Sequence, residues 1–406
     1  MSRRNHGSAP LSVSSLDRRQ FLRIFGAVAA VGATGGLAAC GSDPASSAGA
    51  FRPSGITIGI GLVAPTAGPF ARIGEDIQKG FALFLAASRG FLGPHNVDLK
   101  VVDEGTSAET AVAAVKGLLA QNVVAFAGVA NPAALPALAT TLQDAKVPLV
   151  SANAAPSTLT NALFVWRVSS VEGDAGRSLA QYAKAEGTRT YLLYEDTPSG
   201  RAEADAFRAA FIDLGGQVIG ESAGTGGLAS RLQSARNNNA NSIFASYSGA
   251  EAATVLDAYR ASQLGVKLLG TGSLTETIDL TKIGPLPVPP QRVYTSMYYA
   301  ADLDNDANRR FVSDYHKTHG VQPSGYAMAA YDSAAVLNKA LGLVPGAPTA
   351  AALNQAFSLL GQIESPRGTW TFNINRSPQQ KWYLRKLHLD GMVPANLLDT
   401  DLAVLG

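Results

Sequence analysis

From Ile56 onward, short apolar runs alternate with longer segments of helical periodicity. The runs 56–63, 97–102, 123–127 and 147–151 are rich in β-branched residues and are predicted strands. Between them, 74–88, 107–121 and 132–144 space their apolar residues for helices. Such alternation builds βαβ units around a parallel sheet. The strands are near-continuous apolar runs, as expected where helices cover both faces. The pattern then restarts. Strands are predicted at 190–194, 217–221, 242–246 and 267–271, and helices at 200–214, 228–239 and 250–263. Extended pieces at 163–168 and 292–297 are expected to cross between two lobes. Beyond them come helical patterns at 308–319, 326–343 and 349–360, then a late hairpin of 368–373 with 382–387.

The expected fold is therefore α/β, with two doubly wound parallel-sheet lobes joined by a three-segment hinge. Lobe 1 is expected to comprise 56–167 and 298–366, and lobe 2 to comprise 168–297 and 367–406.

The first forty residues follow a different pattern. A basic, polar stretch to Gln20 precedes an Ala- and Gly-rich apolar run over 24–39, too short for a comfortable membrane span. That is the layout of an export signal, predicted to occupy 1–39. Asp17-Arg18-Arg19-Gln20-Phe21-Leu22 resembles a twin-arginine signal, the alternative being a basic n-region for general secretion. Leu37-Ala38-Ala39-Cys40-Gly41 resembles a bacterial lipobox. That resemblance implies a diacylglyceryl group on Cys40 and a lipid anchor at the extracytoplasmic face of the cell membrane. The alternative is ordinary cleavage near an incidental cysteine. The Ser-, Ala- and Gly-rich segment 40–55 then reads as a flexible tether reaching about 20 Å.

Charge changes the picture only once the leader is set aside. The whole chain is formally +2, with 33 basic and 31 acidic residues. Arg3, Arg4, Arg18, Arg19, Arg23 and Asp17 belong to the leader, and without them 28 basic and 30 acidic residues remain. A near-neutral body carries no electrostatic footprint for nucleic acid. Cys40 is the sole cysteine, so no intramolecular disulfide forms.

Catalytic and cofactor motifs are not found. Gly59-x-Gly61-x-x-Ala64 fits a dinucleotide fingerprint in form, but Pro65 follows and the helix pattern begins only near Gly74. His316 and His319 read as a solvated helix end, not a metal pair. There is no phosphate-binding loop, zincin motif or nucleophile elbow. No catalytic residue, metal or cofactor is expected, and the chain is not expected to be an enzyme.

The segment from Ile58 to Asp76, with Ala64-Pro65-Thr66-Ala67-Gly68-Pro69-Phe70-Ala71, resembles the opening of the branched-chain amino-acid (Leu/Ile/Val) type of periplasmic solute-binding proteins. Val147-Pro148-Leu149-Val150-Ser151, Leu264-Gly265-Val266-Lys267 and Gln322-Pro323-Ser324-Gly325-Tyr326-Ala327 follow in that family's order. The resemblance implies a type I periplasmic binding protein fold whose cleft closes on a small solute. It also implies permease and ATPase subunits of an ABC importer as partners, and a monomer. The same fold acting as a sensor, or as an extracytoplasmic enzyme, is the alternative.

The resemblance assigns candidate ligand contacts one by one. Phe70 and Ile73 follow the first strand, Ile73 standing where an aromatic is common. Ala130, Asn131 and Ala133 lie in the loop that offers donors to a ligand carboxylate; Asn131 reads equally as an N-cap before Pro132. Ala154 and Ala155 match a loop whose usual Thr is Ala155 here. Ser199 replaces an aromatic. Tyr247 and Glu251 open a helix of lobe 2. Glu251 matches the acid that takes a ligand ammonium, and also suits the first turn of a helix. Tyr298 is either a stacking face or hinge packing. The losses at Ile73, Ala155 and Ser199 point to a pocket recut for a solute other than a branched-chain amino acid.

Overall fold

The computed structural model describes residues 55–159, 161–282, 292–390 and 393–406. The predicted leader, Cys40 and the tether up to residue 54 lie outside the described residues. The first sheet is built from β1 (Thr57–Val63), β2 (Phe91–Leu92), β3 (His95–Val102), β4 (Val123–Gly128), β5 (Leu149–Ser151) and β6 (Val165–Arg167). Helices α1 (Ala71–Ala87), α2 (Ala108–Leu119) and α3 (Leu135–Ala145) connect its parallel strands. Strand order is β2-β3-β1-β4-β5-β6, with only β2 antiparallel.

The second sheet follows α4 (Asp174–Glu186). It takes β7 (Arg189–Tyr194), α5 (Pro198–Asp213), β8 (Gln217–Ala223), α6 (Leu228–Asn237), β9 (Ser242–Ser246), α7 (Gly249–Ser262), β10 (Lys267–Thr271), the single turn α8 (Ser273–Glu276) and β11 (Val293–Met297). Three helices come next, α9 (Asp306–His319), α10 (Gly325–Leu341) and α11 (Ala350–Phe357). The chain ends in β12 (Thr371–Phe372), β13 (Pro378–Asp390) and β14 (Val393–Leu405). The order is β12-β13-β11-β10-β9-β7-β8, with β14 paired outside this path to β13. Strands β8, β7, β9, β10 and β11 run parallel, and β13 is antiparallel to β11.

Neighbouring residues of the inner strands explain the unbroken apolar runs. Leu193, Ile243 and Leu268 face a core with α6 and α7, while Leu192, Phe244 and Leu269 face a core with α4 and α5. Successive side chains of a strand point to opposite faces, so a sheet covered on both sides needs apolar residues at every position. Gly61, half of the apparent dinucleotide fingerprint, sits inside β1, where a Cβ would stand 2.6 Å from the Phe126 ring. Its role is close packing. Gly80 of α1 does the same for the last helices: a Cβ there would lie 1.9 Å from the Ala327 carbonyl oxygen, so α10 seats directly on α1.

Both expected crossings prove to be partly strand. Val165–Arg167 closes the first sheet as β6, and the chain leaves that sheet only afterwards. Likewise 293–297 is β11, hydrogen-bonded on both sides within the second sheet. Short apolar strands and short apolar connectors look alike in sequence, and pairing decides between them. The hinge region is stitched by buried polar groups. Arg367 pairs with Asp332 at 3.0 Å and lies over the rings of Tyr298 and Trp370. Among the described residues no helix is long and apolar enough to cross a membrane.

Candidate functional site

In an open parallel sheet, the loops at the carboxyl ends of two strands diverge where the strand order reverses, leaving a crevice for ligand. Both sheets contain such a point: between β1 and β4 in the first, and between β7 and β9 in the second. The two edges approach one another. A Cβ on Gly249, at the start of α7, would lie 3.6 Å from the carbonyl oxygen of Pro69 in the loop after β1. The expected residues other than Tyr298 distribute along these two edges.

On the first edge, Gly68 turns the chain with φ 78°, and a Cβ there would strike the Thr106 side chain. Phe70 follows at the N-cap of α1, half-buried, and Ile73 is buried inside its first turn. At the end of β4, Gly128 (φ 100°) and Val129 (φ 67°) are both left-handed. A β-branched residue there is strained, and such strain gathers at functional loops. The turn points the next N–H groups inward, making an anion-binding concavity. The side chain of Glu104, 1% exposed, fills it, accepting from Ala130 N–H at 2.7 Å and Asn131 N–H at 2.9 Å. Burial pushes the Glu104 carboxyl up to about 7, against those two donors. Asn131 Oδ1 in turn caps the following turn by accepting from Ala133 N–H, and Ala133 is exposed. The backbone donors that the resemblance reserves for a ligand carboxylate are thus engaged within the lobe.

The next loop is also self-satisfied. Asn153 donates to the Ala130 carbonyl and accepts from Ala154 N–H. Ala155 exchanges backbone bonds with the chain leaving β6, donating to Ser170 O and accepting from Glu172 N–H. Glu172 then accepts from the Ser199 hydroxyl at the start of α5. Its burial holds the carboxyl above the usual range. Ala155 of the first edge and Ser199 of the second are therefore brought together through a residue that the sequence reading did not single out.

On the second edge, Glu195 follows β7 directly and accepts from both the N–H and the hydroxyl of Ser248, after β9. Burial raises its pKa, and the nearby charge of Glu251 adds to the shift. Glu251 itself is exposed in the first turn of α7. Tyr247 is 1% exposed and donates its hydroxyl to Gly224 O at 2.9 Å. Tyr298 stands apart from both edges: its hydroxyl donates to Gly325 O and its ring meets Trp382 edge-on, packing in the hinge. Glu104, Glu172 and Glu195 are the site residues missed from sequence. The available signal was position, since Glu104 and Glu195 each come within two residues of a strand's carboxyl end.

A family model described as "Periplasmic binding protein" matches residues 57–391. The chain belongs to the periplasmic binding protein family. The Leu/Ile/Val-binding protein homolog 6 of Brucella melitensis is 27% identical over 342 residues, which cover 81% of this chain and 87% of that one. A solute-binding protein of an ABC transporter from Rhodopseudomonas palustris HaA2, solved with p-hydroxybenzoic acid, superposes with TM-score 0.76 at 24% identity. That match covers 86% of this chain and 98% of the other. A branched-chain amino acid transporter substrate-binding protein from Streptococcus pneumoniae, solved with isoleucine, has TM-score 0.72 at 18% identity, covering 85% and 99%. The two-lobed type I fold and the kinship with Leu/Ile/Val-binding relatives expected from the sequence are both upheld.

Proposed function

We propose that the protein is an exported, lipid-anchored solute-binding component of an ABC importer. It captures a small organic solute between its lobes: an amino acid, an amide or a related small acid. The observation that supports this most directly is the approach of the two switch-point edges at Pro69 and Gly249; on this reading Phe70, Asn131, Ser199 and Glu251 are the side chains offered to the solute. A two-lobed body with three chain passages closes by hinge motion, and closure with solute presents a new surface to a permease without any bond being made or broken. The relatives' ligands, isoleucine in one and p-hydroxybenzoic acid in another, bracket the solute class. The occupied lobe 1 nest favours a solute whose orientation relies on side chains of the second edge rather than on backbone N–H groups of the first.

The test is a solute panel containing isoleucine, other amino acids, small amides and hydroxybenzoates. At least one is expected to raise the melting temperature and to shrink the body in solution scattering. A panel with no effect on either measurement overturns the reading. Cys40→Ser is expected to move the exported protein from the membrane fraction to the soluble one; retention on the membrane would remove the lipid anchor from the proposal.

A further inference from the structure

A cavity of about 480 Å³ opens beside the hinge, and none of the candidate residues of the switch points lines it. Its walls come from separate parts of the fold. Arg72 of α1 with Val312 and Val321 near α9 form one side; Ile278 after α8 with Arg385 and Asn396 of the terminal hairpin form the other. The volume suits a small organic ligand.

Two polar atoms on these walls are buried with no hydrogen-bond partner among the described residues, Arg385 Nε and Asn396 Oδ1. The Arg385 side chain is 2% exposed. Its other nitrogens are engaged by Glu276, Tyr299 O and Thr295 Oγ1. Buried polar atoms are nearly always paired, so two open ones on a single cavity call for an explanation. The hairpin register brings them together. Asn396 stands opposite Leu387, and Arg385 lies two residues from Leu387 on the same face of β13. One atom is a donor and the other an acceptor, and a hydroxyl group satisfies both at once. Arg72 is exposed at the mouth, and no salt bridge engages it among the described residues. Asp279, Asp302 and Asp390 also border the cavity; Lys282 holds the first and the Leu398 N–H the second, while Asp390 is exposed to solvent. They disfavour more than one negative charge on the ligand.

We propose that this cavity is a second solute site, separate from the switch-point cleft, for an amphipathic monocarboxylate with a distal hydroxyl. The carboxylate pairs with Arg72, the apolar body lies against Ile278, Val312 and Val321, and the hydroxyl bridges Arg385 Nε and Asn396 Oδ1.

The probe is 4-hydroxyphenylacetate, with phenylacetate as the partner lacking the hydroxyl, titrated calorimetrically into the intact body. Arg72→Glu and Val321→Trp, both at exposed positions, are each expected to weaken the hydroxylated probe by about tenfold or more. The preference for the hydroxylated probe disappears in Asn396→Ala, while Ser248→Tyr at the switch point leaves its affinity unchanged. Melting curves confirm that each variant is folded. No binding of 4-hydroxyphenylacetate to the unmodified protein at about 10 mM overturns the proposal. So does equal binding to Arg72→Glu and Val321→Trp. Loss confined to Ser248→Tyr also overturns it, while leaving the switch-point cleft as the solute site.

Discussion

Gly173 stands at the N-cap of α4 with no side chain to accept a hydrogen bond, and Glu203 of α5 supplies the acceptor instead. Its two oxygens take the N–H groups of Gly173 at 2.9 Å and Gly176 at 2.8 Å. A carboxylate there also faces the positive end of the helix. Glu203→Ala is expected to lower stability by about 2–4 kcal/mol, since it orphans two buried donors, measurable by urea unfolding. The same group makes stability depend on pH. Burial pushes its pKa from 4.5 up to about 7, so the folded state holds the proton through a window where the unfolded chain has lost it. The stability it contributes is complete below the unfolded value and is lost as pH rises through about 7. Between those limits the unmodified protein should lose stability relative to Glu203→Gln; parallel unfolding midpoints for the two would contradict this. Glu104, also raised to about 7, acts in the same direction. Neither carboxylate announces its partner in the sequence. The turn that aims two N–H groups at Glu104 depends on Val129 adopting φ 67°, a conformation that no local propensity predicts for valine.

At the scale of elements, the legible parts were those in which burial on both faces forces an apolar run. The strands 242–246 and 267–271 come out with the predicted ends, and the helices around 74–88, 107–121 and 250–263 shift by a few residues only. Short β2 and α8 were not legible, and the late hairpin pairs 371–372 with 378–379 instead of 382–387; two longer elements were missed for clearer physical reasons. Helix α4 begins Asp174-Ala175-Gly176, and glycine reads as a poor helix former. The structure supplies the reason: a Cβ on Gly176 would stand 2.2 Å from the Glu203 carbonyl oxygen, so α4 and α5 pack through it. Strand β14 carries Pro394, Asn396, Asp399 and Asp401, a composition that argues against a strand. It survives because it is the outer strand of its hairpin, where proline costs no ladder bond on the open side. These environments give opposite expectations for one substitution. Gly176→Ala should destabilise by about 1–3 kcal/mol through overpacking. Gly117→Ala, in α2 with nothing near the added methyl, should stabilise by about 0.4–1 kcal/mol. Thermal melts of the two variants check both signs.

For the whole molecule, the doubly wound repeat was readable because the strand-helix pattern runs twice and then returns to helices; the expected crossings were not, since 165–167 and 293–297 pair into the sheets. The candidate cleft followed from that repeat and from the family resemblance. The polar stitching of the hinge did not, because its members are far apart in sequence. Glu276 after β10 accepts from Gly325 N–H at the start of α10 and pairs with Arg385 of β13. Asp76 of α1 reaches the neighbouring Ser324 hydroxyl at 2.6 Å. Glu276→Ala would leave the guanidinium of Arg385 buried without its anion. The expected cost is about 3–5 kcal/mol, read by denaturant unfolding, and a change within experimental error would show that the pair is not needed for stability.

The approach of Pro69 and Gly249 has a practical use. Cys40 is the only cysteine in the chain, so the body from Ile56 onward carries no thiol at all. Ala133 and Ala250 are exposed, Ala133 in the turn after β4 on the first edge and Ala250 at the start of α7 on the second. Cysteines introduced at these two positions would be the sole attachment points for a donor and an acceptor dye. The closing of the cleft would then be read as energy transfer, turning the receptor into an optical reporter that identifies its own solute.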